Sequence, residues 1–220
     1  MGTSLTGVGV LDKAVDVLDA IEQRPRSLAE LVDATGLPRA TAHRLATALE
    51  AHGLVRREAD GRFALGPRLL SLGRSTAEAW PLATASTAAL AELRESTAES
   101  VQLFVRDGSE RVCIAALQSP HGLRTIVPLG ARLPLGLGSA GRVLRDGDVA
   151  ASPFVESVEE REAGVASVSA PVRDGQGAVV AAVSVSGPVE RTSRHPGDRY
   201  GDAVVAAARR IELDAGFRSR

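Results

Sequence analysis

The sequence predicts an α+β chain: short helices and a hairpin come first, and a half built mainly from antiparallel strands follows. Two observations carry this. Apolar residues recur every three or four positions through the first helices, and from residue 100 the period changes to two. Asp60-Gly61, Asp107-Gly108 and Asp174-Gly175 each stand between strand-like runs, a strong signal for a tight hairpin turn.

The elements follow in order. Val10, Leu11, Ala14, Val17, Leu18 and Ile21 form an apolar stripe, with Asp12, Asp16, Asp19 and Glu22 opposite as a solvated face, and Pro25 ends this helix. Ser27 with Glu30 three residues later is a capping box. The helix it opens ends at Gly36, which suits a left-handed cap. After Leu37-Pro38 a third helix is expected from about Arg39 to His52, with Ala42, Leu45, Ala46 and Leu49 inward. Leu54–Arg57 and Arg62–Leu65 then form a hairpin, and Gly66-Pro67 breaks the pattern. Helical segments are expected over about 68–79 and 81–97.

In the second half, strands are expected at 101–105, 111–117, 165–172 and 178–185, with Thr125–Pro128 as a further one. Gly138–Arg145 reads as a short helix, and Asp198–Phe217 as a final amphipathic one. The expected divisions are 1–66, a linker helix at 67–80 and a second domain at 81–220.

Composition excludes several classes. The chain has 220 residues, 44% of them hydrophobic, enough for one large or two modest cores. The formal net charge is −1, so any nucleic-acid site must be a local patch. The lone Cys113 rules out an intrachain disulfide and argues against a cysteine metal site; it reads as a core thiol. The four histidines do not pair with cysteine or carboxylate at metal spacing. No run of about 18 apolar residues exists, and Met1–Gly9 lacks a leader pattern, so a cytoplasmic protein without a membrane span is expected. No cofactor is expected, and no G-x-S-x-G elbow or other catalytic constellation is found.

Three short helices, a glycine-containing turn and a hairpin make a winged helix-turn-helix. Opposite the apolar stripe of its third helix lie Ala40, His43, Arg44 and Thr47, with Arg39 and Thr41 at its start. Donors there suit the major groove, where arginine is the best bidentate partner of guanine. Arg56, Arg57 and Arg62 fall on the wing, where a phosphate or minor-groove contact is expected. Between Pro38 and Arg62, five arginines and two histidines face Glu50, Glu58 and Asp60, a local basic bias within a neutral chain.

Gly136-Leu137-Gly138-Ser139-Ala140-Gly141 spells G-x-G-x-x-G. The preceding 131–135 contains a proline and no βαβ unit surrounds the motif, so a dinucleotide loop is disfavoured. Small residues at a helix start still leave backbone N–H groups open to an anion. A small enzyme built on 100–220, with nucleotide dependence as one form of it, stays open as the alternative; nicotinamide binding lost on mutating Gly138 would favour it.

The runs Thr35–Leu45, Leu49–Val55, Gly61–Leu69 and Ser184–Pro188 resemble the IclR family of bacterial transcriptional regulators, over nearly the whole chain and in the family's order. Glu160–Val172 and Arg194–Gly197 are most similar to its actinobacterial NdgR/AreB type. The resemblance implies a GAF-like α/β effector-binding domain after the linker helix, and a homodimer or tetramer on a palindromic double-stranded DNA operator. It also implies a nucleoid-associated regulator of amino-acid or related carbon metabolism, with an amino acid or 2-oxo acid as effector. It puts the effector carboxylate on Ser139, Ala140 and Gly141 and brings Ser157, Ser167, Ser184 and Ser186 to the pocket. Ser167 stands where many relatives have cysteine, and Ser157 where many have aspartate. Between Arg142 and Glu159 the chain is shorter than its relatives, chiefly around 146–158.

Overall fold

A computed structural model describes residues 8–146 and 152–218, and the chain divides into two compact units, 1–76 and 77–220. The leader reading at residues 1–7 and the part of the shortened stretch at 147–151 lie outside the described residues.

The first unit opens with α1 (Gly9–Glu22), α2 (Leu28–Thr35) and α3 (Arg39–Ala51). The capping box forms as the sequence requires: the Ser27 hydroxyl accepts from the Glu30 N–H, and the Glu30 carboxylate accepts from the Ser27 N–H at 2.8 Å. Gly36 closes α2 at φ 66°, a left-handed conformation that costs glycine little. The hairpin is β1 (Val55–Arg57) against β2 (Phe63–Leu65), antiparallel, and Arg26 adds a backbone bridge to Phe63. Val17, Ile21, Leu31, Ala42, Ala46, Leu49, Val55 and Phe63 pack into one core. Gly66 has no room for a side chain: a Cβ would stand 2.2 Å from the Gly53 carbonyl oxygen, so helix end and hairpin close together. Helix α4 (Pro67–Ala79) follows.

The expected helix over 81–97 is two helices, α5 (Pro81–Ala85) and α6 (Thr87–Thr97). The break falls at Ser86, whose hydroxyl donates back to the Ala83 carbonyl at 2.8 Å, the local competition that makes serine a poor helix interior.

The second unit is organised by a six-stranded antiparallel sheet of order β5-β4-β3-β8-β7-β6. Its strands are β3 (Ser100–Asp107), β4 (Glu110–Leu117), β5 (Arg132–Pro134), β6 (Val155–Val158), β7 (Val165–Arg173) and β8 (Val179–Pro188). Two helices of the C-terminal stretch are α8 (Val189–Thr192) and α9 (Pro196–Asp214), and α7 (Ser139–Asp146) precedes β6. Side chains alternate between the faces. Val101, Leu103, Val168, Val172, Val183 and Val185 join residues of α6 and α9 in the larger core. Phe104, Cys113 and Ala182 face the other way and pack with Ala140, Val143 and Leu144 of α7.

Two sequence expectations need correction. Thr125–Pro128 is not a strand. Its Thr125 carbonyl accepts from the Ser100 side chain at 2.7 Å, and Pro128 has no N–H to offer a ladder. The strand of this region is β5 instead, at the sheet edge, where Pro134 is tolerated. Strand β6 was not expected, because Val155–Val158 is short and carries no alternating apolar signal.

Candidate nucleic-acid interface and effector pocket

Helix α3 buries Ala42, Ala46 and Leu49. The period of 3.6 therefore turns Arg39, His43, Arg44 and Thr47 outward, and all four are exposed, with Thr41 half-buried. The helix has no acidic residue in its first turn and no side-chain cap, which leaves the positive end of its dipole bare. Among the described residues, Arg39, His43 and Arg44 make no ion pair and no side-chain hydrogen bond.

The wing differs. Arg56 pairs with Glu58 at 3.0 Å, Arg62 with Asp60 at 3.3 Å, and Arg57 with Glu50 at 3.4 Å. Arg57 also lies 4.3 Å over the Phe63 ring. All three wing arginines are exposed. Exposed pairs of this kind are worth roughly 1 kcal/mol or less, so a phosphate can displace the carboxylates.

The second site lies in unit 2, on the α7 face of the sheet. The alternation that sends Val183 and Val185 to the large core sends Ser184 and Ser186 the other way. The register then assembles a polar floor from neighbouring strands: Ser167 opposite Ser186, Ser169 opposite Ser184, Gln102 opposite Ser184 and Ser157 opposite Ser167. Ser139, the first residue of α7, reaches the Ser167 hydroxyl at 2.8 Å and the Ser169 hydroxyl at 2.7 Å. Ser186 donates to the Gln102 side-chain oxygen at 3.1 Å.

A small, partly open cleft sits over this floor. Of the residues anticipated from the sequence, Ser139, Ala140, Ser157, Ser167, Ser184 and Ser186 line it. Gly141 does not; it packs behind the wall, where a Cβ would stand 2.5 Å from both Arg111 Nη1 and the Leu135 carbonyl oxygen. The Gly138 N–H donates to the Glu160 carboxylate at 3.0 Å.

Four polar or aromatic wall residues escaped the sequence reading: Gln102, Phe104, Arg111 and Arg161. Arg111 is the most informative. It stands two positions before the buried Cys113 on β4, so it shares that inward face, and it is only 3% exposed. A charged residue in phase with a buried apolar one was the available signal. Burial pushes the Arg111 guanidinium down to about 10, with the positive charge of Arg161 adding to the effect.

Among the described residues the second unit has no parallel strand pair, and β5 joins the sheet antiparallel beside β4. The glycine-rich segment before α7 is therefore not part of a βαβ unit. Among the described residues no group of histidine, cysteine and carboxylates is placed to hold a metal ion, and no helix is long and apolar enough to cross a membrane. Cys113 is buried in the smaller sheet core, where burial raises its thiol to about 11.

Comparison with known proteins places this geometry. The IclR helix-turn-helix domain matches residues 10–59, and the bacterial transcriptional regulator IclR C-terminal domain matches 75–151 and 149–213. The glycerol operon regulatory protein of Streptomyces griseus is 30% identical over 229 aligned residues, covering 88% of this chain and 90% of that protein. The transcriptional repressor IclR of Escherichia coli is 26% identical over 245 aligned residues, covering 94% and 89%. Among solved structures, an IclR homolog from Microbacterium hydrocarbonoxydans complexed with 4-hydroxybenzoate shares the fold with a TM-score of 0.77, at 20% identity over 94% of this chain and 99% of that one. The chain belongs to the IclR family of DNA-binding transcriptional regulators. These relatives are transcriptional regulators rather than enzymes.

Proposed function

We propose that this chain binds a specific double-stranded operator through α3 and the β1–β2 wing, and that a small carboxylate metabolite modulates that binding. The observation that carries the DNA half is the contrast on the first unit. Arg39, His43 and Arg44 stand exposed on α3 without a partner among the described residues, whereas Arg56, Arg57 and Arg62 of the wing each have a carboxylate beside them. Unpartnered arginines on a helix of groove-fitting size, with a histidine donor beside them, are poised for base edges and phosphates. Arg39, Thr41, His43, Arg44 and Thr47 form the reading face in this account, and Arg56, Arg57 and Arg62 grip the backbone.

The polar floor supports the effector half. Ser139, Ala140, Ser157, Ser167, Ser184 and Ser186 gather around one cavity, with Gly141 holding the α7 wall from behind. A relative of the same fold holds 4-hydroxybenzoate, itself a carboxylate. The segment around 146–158 is the shortened part of the domain: the family match breaks into two pieces meeting at 149–151, and alignments to relatives run longer than this chain. A reduced wall there alters which metabolite fits. The similarity to the NdgR/AreB type points to amino-acid or related carbon metabolism and to an amino acid or 2-oxo acid.

In this account the domains are the winged helix at 1–66, α4 as the link within 67–80, and the effector domain at 81–220. The protein works in the cytoplasm on the nucleoid as a homodimer or tetramer. Val10, Leu11 and Val15 of α1, each more than half exposed, support a second copy covering that helix. Footprinting the purified protein on its own upstream region, with and without amino acids and 2-oxo acids, tests the proposal. A protected site that weakens or strengthens with one of them is expected; no protected site would contradict it.

A further inference from the structure

We propose that Arg111 is the charge anchor of the effector pocket and makes it selective for anions. The inference rests on the effector reading above and adds a residue that the sequence did not assign.

Arg111 is 3% exposed, yet no carboxylate lies within ion-pair distance of its guanidinium among the described residues. Both of its hydrogen bonds leave from Nη1, to the Pro134 carbonyl and to the Leu137 carbonyl at 2.8 Å. Nε is buried without any partner. Nη2 lies beside Gly138, 3.4 Å from where a Cβ would stand, at the cavity wall. The flat Phe104 ring lies 5.3 Å from the guanidinium carbon.

A buried cation without a counter-charge is expensive, and so is a buried donor without an acceptor. The remaining lining does not repair this. It holds a second cation, Arg161, and no acidic residue; the other polar groups are serine hydroxyls and the Gln102 amide. Among the described residues Arg161 pairs with the exposed Glu162 alone, at 3.5 Å. Glu160 is engaged by the Gly138 N–H and by Arg142. A small anion in the cavity supplies the missing charge and the missing acceptor together. Its carboxylate meets the Arg111 donors, and a hydroxyl, keto or amino group on the neighbouring carbon meets Ser139, Ser167 or Ser186. Nη1 already ties the segment before α7, so occupancy of the guanidinium is also felt at the start of that helix.

The test uses the full chain in chloride-free buffer. Thermal unfolding is followed with pyruvate, lactate and 4-hydroxybenzoate, with the neutral lactamide and 4-hydroxybenzamide, and with inorganic sulfate. At least one carboxylate should raise the melting temperature while its amide does not. R111Q should abolish that response. R161Q, at a more exposed position and therefore safe for folding, should weaken the carboxylate on the order of tenfold, as loss of a charged partner does. Circular dichroism checks that each variant is folded. Equal stabilisation by acid and amide overturns the proposal, as does unchanged carboxylate affinity in both variants, or no response of the wild type to any anion. Operator binding on the same samples separates the two readings. A neutral metabolite that releases the operator overturns the anchor and leaves the regulator standing. A carboxylate that needs Arg111 to bind but leaves operator occupancy unchanged supports the anchor and contradicts the regulatory reading.

Discussion

The hydroxyl of Ser139, the first residue of α7, lies 2.8 Å from the hydroxyl of Ser167 on β7. This bond and the companion to Ser169 fasten the start of a helix to the floor of the pocket. Ser139 and Ser169 are almost fully buried, so deleting one oxygen strands the others away from water. Ser139→Ala should cost about 1 kcal/mol in urea unfolding, the usual net worth of a buried hydrogen bond. Ser167→Ala, which leaves Ser139 bonded to Ser169, should cost less.

Gly141 provides a test of the packing behind that wall. A Cβ there would stand 2.5 Å from the Leu135 carbonyl oxygen and from Arg111 Nη1. Backbone does not yield as a flexible side chain does. Gly141→Ala should therefore destabilise by about 1–3 kcal/mol, in the range of overpacked cores. Denaturant unfolding measures it, and the same change at Gly122, where nothing lies within 4 Å, serves as the control with little effect.

The capping box makes the first unit acid-sensitive. The Ser27 backbone N–H, helped by Arg24, holds the Glu30 carboxyl at about 2 against an ordinary 4.5. A value depressed by folding stabilises fully above about 4.5, and that contribution disappears as pH falls through about 2. Glu30→Gln should remove this part of the acid transition, read from helix signal against pH. Ser27→Ala should cost about 1 kcal/mol at neutral pH by removing the N-cap.

The first unit was legible in the sequence because its signals are local. The capping box, Gly36, the Asp60-Gly61 turn and the apolar stripes each act within a few residues, and the elements follow them. The second unit depends on partners distant in sequence. Thr125–Pro128 has strand-like composition, but its Thr125 carbonyl is taken by the Ser100 side chain. Val155–Val158 carries little strand signal and becomes one through β7. The serines were identified by resemblance, whereas the place of Arg111 depends on the register of β4 and on the fold of the segment before α7. Gly141 shows the reverse: the motif marked it, and the structure gives it a packing position behind the cavity.

The central claim is that α3 reads an operator with its unpartnered cations. Fluorescence anisotropy on the footprinted site, for wild type and Arg44→Ala across a salt series, tests it most directly. Arg44 is exposed, so the variant should fold as the wild type does. The account predicts a loss of about 1–3 kcal/mol in specific affinity, with binding to unrelated DNA much less affected. Operator affinity in Arg44→Ala equal to wild type at every salt concentration would contradict it.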